Sequence, residues 1–218
     1  MIKIKVIHWF RQDLRLSDNP ALFEAAKNNS ILPIYILDDK NSKEHAMGEA
    51  SRFWLHHSLN TLNISLDQNL SIFNGDPLEI ILEIADRLDI EEIYWNRCYE
   101  PWRIKRDTYI KKELESKGIK VNTFNGSLLW EPWTIKKADG TPYKVFTPFY
   151  RKGCLKFKEP REPLPIPKNI NLLRDTINPQ SINDLSLLPS FDWGIKMECY
   201  WNIGEDGAHQ RLEEFLKN

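Results

Sequence analysis

Short, continuous apolar runs alternate with amphipathic stretches over the first 125 residues. Ile2–Phe10, Ile31–Leu37, Leu70–Phe73 and Glu92–Trp95 are mostly apolar, the pattern of strands covered on both faces, and Ile119–Phe124 is a fifth strand after Gly118. Helical patterns lie between them. Pro20–Asn28 opens on proline in its first turn, and Leu55, Leu59, Leu62 and Leu66 form one stripe at helical spacing. Asp76 is a good N-cap with Pro77 at the first helical position, and Leu78, Ile81, Leu82, Ala85 and Leu88 continue one face. Pro101–Lys117 reads as a charged helix with solvent-side pairs such as Lys112–Glu115. Repeated strand–helix units predict an α/β fold, a doubly wound, Rossmann-like sheet of five parallel strands.

After Asn125 the pattern changes. Gly126–Gly153 is rich in aromatic residues, proline and turn signals, and Glu159–Pro189 carries six prolines with no long period. Helical spacing returns at Gly204–Leu216, where Leu212, Phe215 and Leu216 share a face. These shifts predict an α/β domain over residues 1–130, an aromatic and Pro-rich connector over 131–203, and over 204–218 one C-terminal helix that starts a further domain. A helix with no partner of its own leaves Trp193, Tyr200, Trp201 and Phe215 as an expected exposed aromatic patch.

A net charge of −1 gives no overall pull toward nucleic acid or anionic membranes, so any basic surface must be local or lie outside the chain. Cys98, Cys154 and Cys199 are far apart and form no C-x-x-C pair, which argues against a disulfide framework or a zinc site. The opening residues lead directly into a strand, too short and interrupted for a signal peptide or membrane span, and a cytoplasmic setting is the default.

A doubly wound sheet binds ligands beyond the carboxyl ends of its strands, so the loops after the first, second and fourth strands carry the candidate site. Arg11–Pro20 holds two arginines and two aspartates. Arginine offers planar forked donors to anionic or heteroaromatic groups. The alternative is a self-satisfied loop, with Asp13 and Asp18 paired to Arg11 and Arg15 and with Asp18 or Asn19 capping the next helix. Asp38 and Asp39 can accept ring N–H groups or stand as solvated turn residues, and His45 follows in the same loop. Asn96, Glu100, Trp102 and Arg103 combine polar and aromatic character, which suits a flat, partly polar ring; packing against another domain serves Tyr99 and Trp102 equally well. The phosphate-binding glycine loops, the nucleophile elbow and a third metal ligand are all absent, so no catalytic or metal-binding residue is assigned.

The run Trp9-Phe10-Arg11-Gln12-Asp13-Leu14-Arg15-Leu16-Ser17-Asp18-Asn19 resembles the opening signature of the photolyase/cryptochrome family. Tyr99-Glu100-Pro101-Trp102, Phe124–Leu129, Glu131-Pro132-Trp133, Tyr143–Phe149 and Trp201–Ala208 are similar to further family blocks in the family order, and the resemblance covers essentially the whole chain. It implies the N-terminal, antenna-type half of a protein that repairs ultraviolet-induced pyrimidine dimers by light-driven electron transfer from reduced FAD, or that senses blue light. In that family FAD and most of the DNA-binding groove belong to a C-terminal helical domain, which this chain is expected to lack beyond its first helix. The chain alone is then expected to bind damaged DNA weakly or not at all, to perform no repair, and at most to hold an antenna chromophore: a folate, a deazaflavin or a flavin. Arg11, Asp38, His45, Asn96 and Glu100 fall in loops matching the family's antenna region. His45, followed by Met47, resembles a folate-contacting histidine of some bacterial members, but where those members carry Asn-Glu this chain has Trp102-Arg103. A folate held differently, a flavin-like antenna and an empty pocket all stay open. The rival readings are a free-standing chromophore- or partner-binding module and part of a cryptochrome.

Overall fold

In a computed structural model, residues 4–27, 29–174 and 180–217 are described. The five predicted strands all form: β1 (Lys5–Phe10), β2 (Ser30–Leu37), β3 (Ser71–Asn74), β4 (Glu92–Asn96) and β5 (Lys120–Phe124). Between them run α1 (Pro20–Ala25), the single turn α2 (Asp39–Ser42), α3 (Glu49–Ser65), α4 (Pro77–Leu88) and α5 (Pro101–Ser116). Ile2, Lys3 and Asn28, the outer ends of the first predicted strand and helix, lie outside the described residues. The lateral order is β3-β2-β1-β4-β5 with every neighbouring pair parallel, so the winding direction reverses between β1 and β4.

Local chemistry sets the helix ends. The Asp76 carboxylate accepts from the Leu78 and Glu79 amides at 3.0 and 3.3 Å, and Asn19 accepts from Leu22 at 3.1 Å at the head of α1. Alternation along β1 divides the core. Val6 and Phe10 face α1 and α3, packing with Leu22, Leu59, Leu62 and Leu66; Ile7 and Trp9 face α4 and α5, packing with Ile81, Ile84, Ile110 and Leu114. The solvent-side pair on α5 is Lys111–Glu115 at 3.6 Å rather than Lys112–Glu115, because i, i+4 places the two ends on one face more directly.

The connector adds to the five predicted strands. Beyond α6 (Phe146–Pro148), a two-residue strand β6 (Asn171–Leu172) joins the sheet in parallel with β2, making six strands. It pairs with Ser30 and Ile31, on the edge of β2 that β3 occupies only from Ile34 to Leu37. An unpaired stretch of buried strand edge needs hydrogen-bond partners, and the Leu173 amide supplies one to the Ile31 carbonyl at 2.7 Å. Two ladder residues inside a Pro-rich stretch carry no periodic signal. The connector also buries Ile182, Leu185 and Leu187 against α3, so it is a belt tied to the body and not only a spacer.

The last elements are α7 (Ile195–Glu198) and α8 (Glu205–Lys217). The first turn of α8 packs on α3, contrary to the expectation that this helix finds nothing to pack on, while Leu212, Phe215 and Leu216 further along are exposed. Of the four residues expected in the aromatic patch, Tyr200, Trp201 and Phe215 are exposed, and Trp193 is half-buried against Phe53, 5.8 Å between rings.

Candidate functional site

The loop after β1 is a self-bonded structure. Asp13 accepts from the Arg11 amide at 3.1 Å and from the side-chain amides of Asn19 and Asn96. Asn96, at the end of β4, also donates to Asn19 and accepts from the Ala21 amide at 3.2 Å. A buried amide with this many partners locks β1, α1 and β4 together at the point where the winding reverses. Arg11 is buried too, but its partner is Asp107 on α5 and the Asn96 carbonyl, not Asp13, because the Asp13 oxygens are already taken by amide donors. The Arg11 guanidinium lies 5.1 Å from the Trp9 ring and 5.8 Å from the Trp95 ring. Arg15 does pair with Asp18, at 3.9 Å, and holds the Ser17, Asp18 and Gly126 carbonyls.

Beside this scaffold opens a cleft of about 570 Å³. It lies at the carboxyl ends of β1 and β2, where Trp9, Tyr35, Leu37 and Asp38 line it, and reaches α5 across the switch point. Trp54, Leu55 and Ser58 of α3 form one wall; Trp102, Arg103 and Arg106 of α5 form the other; Arg15 and the head of α8 close the rim. Burial pushes the Tyr35 phenol far above its ordinary pKa, so it stays a neutral hydroxyl. Arg106 bonds Asp38 at 2.9 Å and Asp107 at 2.8 Å and sits 5.2 Å from both the Trp9 and the Trp102 rings. Burial works against its charge, but the two carboxylates outweigh that and hold its pKa above the ordinary value. Arg103 lies over Trp102 at 4.8 Å, with Glu100 at 3.6 Å and the Cys98 sulfur at 3.7 Å. Burial opposes ionisation of Glu100, yet its backbone bonds, the Gln12 amide at 2.7 Å and Arg103 keep its carboxyl below the usual range.

Of the residues singled out from sequence, Arg11, Asp38, Trp102 and Arg103 line the cleft. Asp38 is a partner of Arg106, and Asp39 pairs with Arg52, so neither carboxylate is a bare turn residue. His45 is exposed but its ring lies parallel to Trp102, 6.3 Å away. Glu100 sits beside Arg103 at the mouth, and Asn96 lies beneath the loop, away from the cleft. Tyr35, Trp54, Arg106 and Glu205 also line the cleft and were not singled out. Tyr35 belongs to a strand that reads as pure core, Trp54 and Arg106 lie on helices, and Glu205 lies far along the chain.

The family model for DNA photolyase matches residues 6–168. The chain belongs to the DNA photolyase family. It is 34% identical, over 97% of its length, to a deoxyribodipyrimidine photo-lyase of Agrobacterium fabrum, and covers 44% of that protein. It is 32% identical over 98% of its length to cryptochrome-2 of Arabidopsis thaliana, covering 36% of it. The crystal structure of a bacterial class III photolyase from Agrobacterium tumefaciens superposes with a TM-score of 0.91 at 33% identity, over all of this chain and 45% of that one. The chain therefore spans less than half the length of these photolyase-family relatives and corresponds to their N-terminal α/β domain. The family binds FAD and antenna chromophores and acts on damaged DNA. Among the described residues no helix is long and apolar enough to cross a membrane.

Proposed function

We propose that this chain is the light-harvesting half of a photolyase-type protein and holds a flat antenna chromophore in the cleft between α3 and α5. The single observation that carries the reading is the composition of that cleft. Trp9, Tyr35, Trp54 and Trp102 supply flat apolar surface, and Arg15, Arg103 and Arg106 stand at its edges. About 570 Å³ matches the size of pockets that enclose cofactor-sized ligands. The Nε hydrogen of Trp9 is buried without a hydrogen-bond partner, and it is suited to a carbonyl or ring nitrogen of a heteroaromatic group. A folate, a deazaflavin or a flavin fits this donor set.

Such a group, when bound, supplies absorption of near-ultraviolet or blue light. The protein's part is to orient it and keep it dry. The aromatic walls fix the ring plane by stacking. The arginines, pinned by Asp38, Asp107 and Glu100, meet its polar edge without having to be ordered on binding. Arg11, Asp38, Trp102 and Arg103 are thus proposed contacts, His45 and Glu100 support the Trp102-Arg103 side, and Asn96 sets the loop. FAD chemistry and recognition of damaged DNA are proposed to reside in a helical domain outside this sequence.

Titration with FMN, a deazaflavin and methenyltetrahydrofolate, followed by chromophore absorbance and tryptophan fluorescence, tests the proposal. One of them is expected to bind stoichiometrically, and Trp102→Ala is expected to weaken it by roughly tenfold, the loss of a stacking contact of about 1.4 kcal/mol. Trp133→Ala, in a separate hollow between β4, β5 and α5, should leave affinity unchanged. No binding of any of the three, or equal loss in both variants, contradicts the assignment.

A further inference from the structure

The cleft is built by strand ends, α3 and α5, yet its rim is completed by a residue 189 positions from the loop it touches. Glu205, on the first turn of α8, reaches across to the loop after β1. One carboxylate oxygen accepts from the Leu16 amide at 2.7 Å; the other accepts from the Ser17 amide at 2.8 Å and from the Ser17 hydroxyl. The side chain is only 17% exposed. Charge-assisted bonds to two consecutive amides hold a loop in one conformation far more firmly than a surface ion pair does.

The local sequence is fitted to this approach. Gly204 has φ 119°, and a Cβ there would stand 2.7 Å from the Thr61 hydroxyl on α3. A Cβ at Gly207 would run into the Asn202 carbonyl. Trp201 meets Trp54 edge to face at 5.5 Å, so the segment before α8 touches the same wall of the cleft. Gly204, Glu205 and Ala208 line the cleft beside Arg15, the residue between Asp13-Leu14 and the two clamped amides.

We infer that Glu205 is a positioning residue of the chromophore cleft: the first turn of α8 belongs to the binding site, and the loop carrying Arg15 takes its cleft geometry from the Glu205 carboxylate. The assignment of a chromophore rests on the function proposed above; the clamp itself rests on the loop geometry. The consequence is that the binding unit does not end at the α/β domain. It extends through Ala208, and the exposed remainder of α8 is dispensable for it.

Glu205→Ala and Glu205→Gln are compared with the wild-type chain and with Leu212→Ser, an exposed position on the same helix. Residue-resolved amide exchange reads the clamp, and titration with FMN and methenyltetrahydrofolate reads the cleft. In Glu205→Ala the Leu16 and Ser17 amides should exchange at least about tenfold faster, and affinity for whichever ligand binds should fall by about tenfold. Glu205→Gln keeps the side chain's shape and one acceptor oxygen and should fall between; Leu212→Ser should match wild type in both. Wild-type exchange rates at Leu16 and Ser17 in both Glu205 variants would overturn the clamp. Faster exchange with unchanged affinity would reduce Glu205 to a structural staple and overturn its role in the cleft. If the wild-type chain binds neither of these nor a deazaflavin, the chromophore reading fails, and the exchange rates still decide the clamp.

Discussion

The body of the chain, from β1 to β5, and the segment that follows it use apolar residues in opposite ways. In the body, Trp9, Phe10, Ile34, Leu59 and Trp95 are all fully or almost fully buried between a sheet and the helices on its two faces. After β5, Phe146, Leu155, Phe191, Tyr200, Phe215 and Leu216 are each more than half exposed, and the buried residues are isolated anchors such as Ile135, Ile182 and Leu185. The body closes its own core except on the α3 side, where Ile182, Leu185 and Leu187 of the later segment complete it. The later segment is a coat fastened at a few points, and its uncovered aromatic faces form a surface of the kind that marks an interaction site.

The comparison is sharpened most by deleting volume on each side of it. Leu59→Ala, inside the core, should cost about 2–5 kcal/mol in urea unfolding, because the cavity cannot collapse between α3 and the sheet. A loss below about 1 kcal/mol would mean the body is less tightly packed than described.

Acid should act on the body before it acts on the coat. His8 is fully buried on β1 with neither ring nitrogen bonded, and burial lowers its pKa from 6.5 to about 4. The folded state thus holds the ring neutral where the unfolded chain takes up a proton. Stability is full above pH 6.5 and is lost progressively as pH falls toward about 4, on the order of 3 kcal/mol in all. In His8→Gln, unfolding free energy measured across this window should lose that slope; an unchanged slope would assign it to other groups.

Asn96 and Trp102 separate scaffold from site. Asn96→Ala strips partners from Asp13, Asn19 and the Ala21 amide and should cost about 1–3 kcal/mol in stability. Trp102→Ala should leave the unfolding midpoint nearly unchanged while weakening the chromophore. Stability losses of equal size would erase the distinction. The smallest effect belongs to the coat. Phe215→Ser should shift unfolding by less than about 0.5 kcal/mol and raise solubility, since the ring covers nothing within the described residues.

What could be read from sequence follows from the range of the interactions. β1 to β4 are legible because burial on both faces demands continuous apolar runs, and the head of α4 because Asp76 and Pro77 act within one turn. The loops that line the cleft are legible because strand order determines which end of a parallel sheet opens into a crevice. β6 is not, because its two residues pair by backbone alone, with an edge made more than a hundred residues earlier. Arg11 was legible as a loop arginine at the sheet's carboxyl end but not its partner, since Asp107 lies on a helix that only the fold brings to it. Tyr35 reads as core because a strand residue at the sheet's carboxyl end looks, in sequence, like any other. Glu205 reads as an ordinary first-turn acid, and its hold on Leu16 and Ser17 has no local signature.

The most direct test of the account is a crystal structure of the chain with the tightest-binding of FMN, the deazaflavin and methenyltetrahydrofolate. The account predicts the ring system in the cleft, against Trp102 and Trp54 and over Tyr35, with its polar edge toward Arg103 and Arg106. A ring seated instead in the hollow beside Trp133, or on the exposed aromatic face around Trp201 and Phe215, would contradict it.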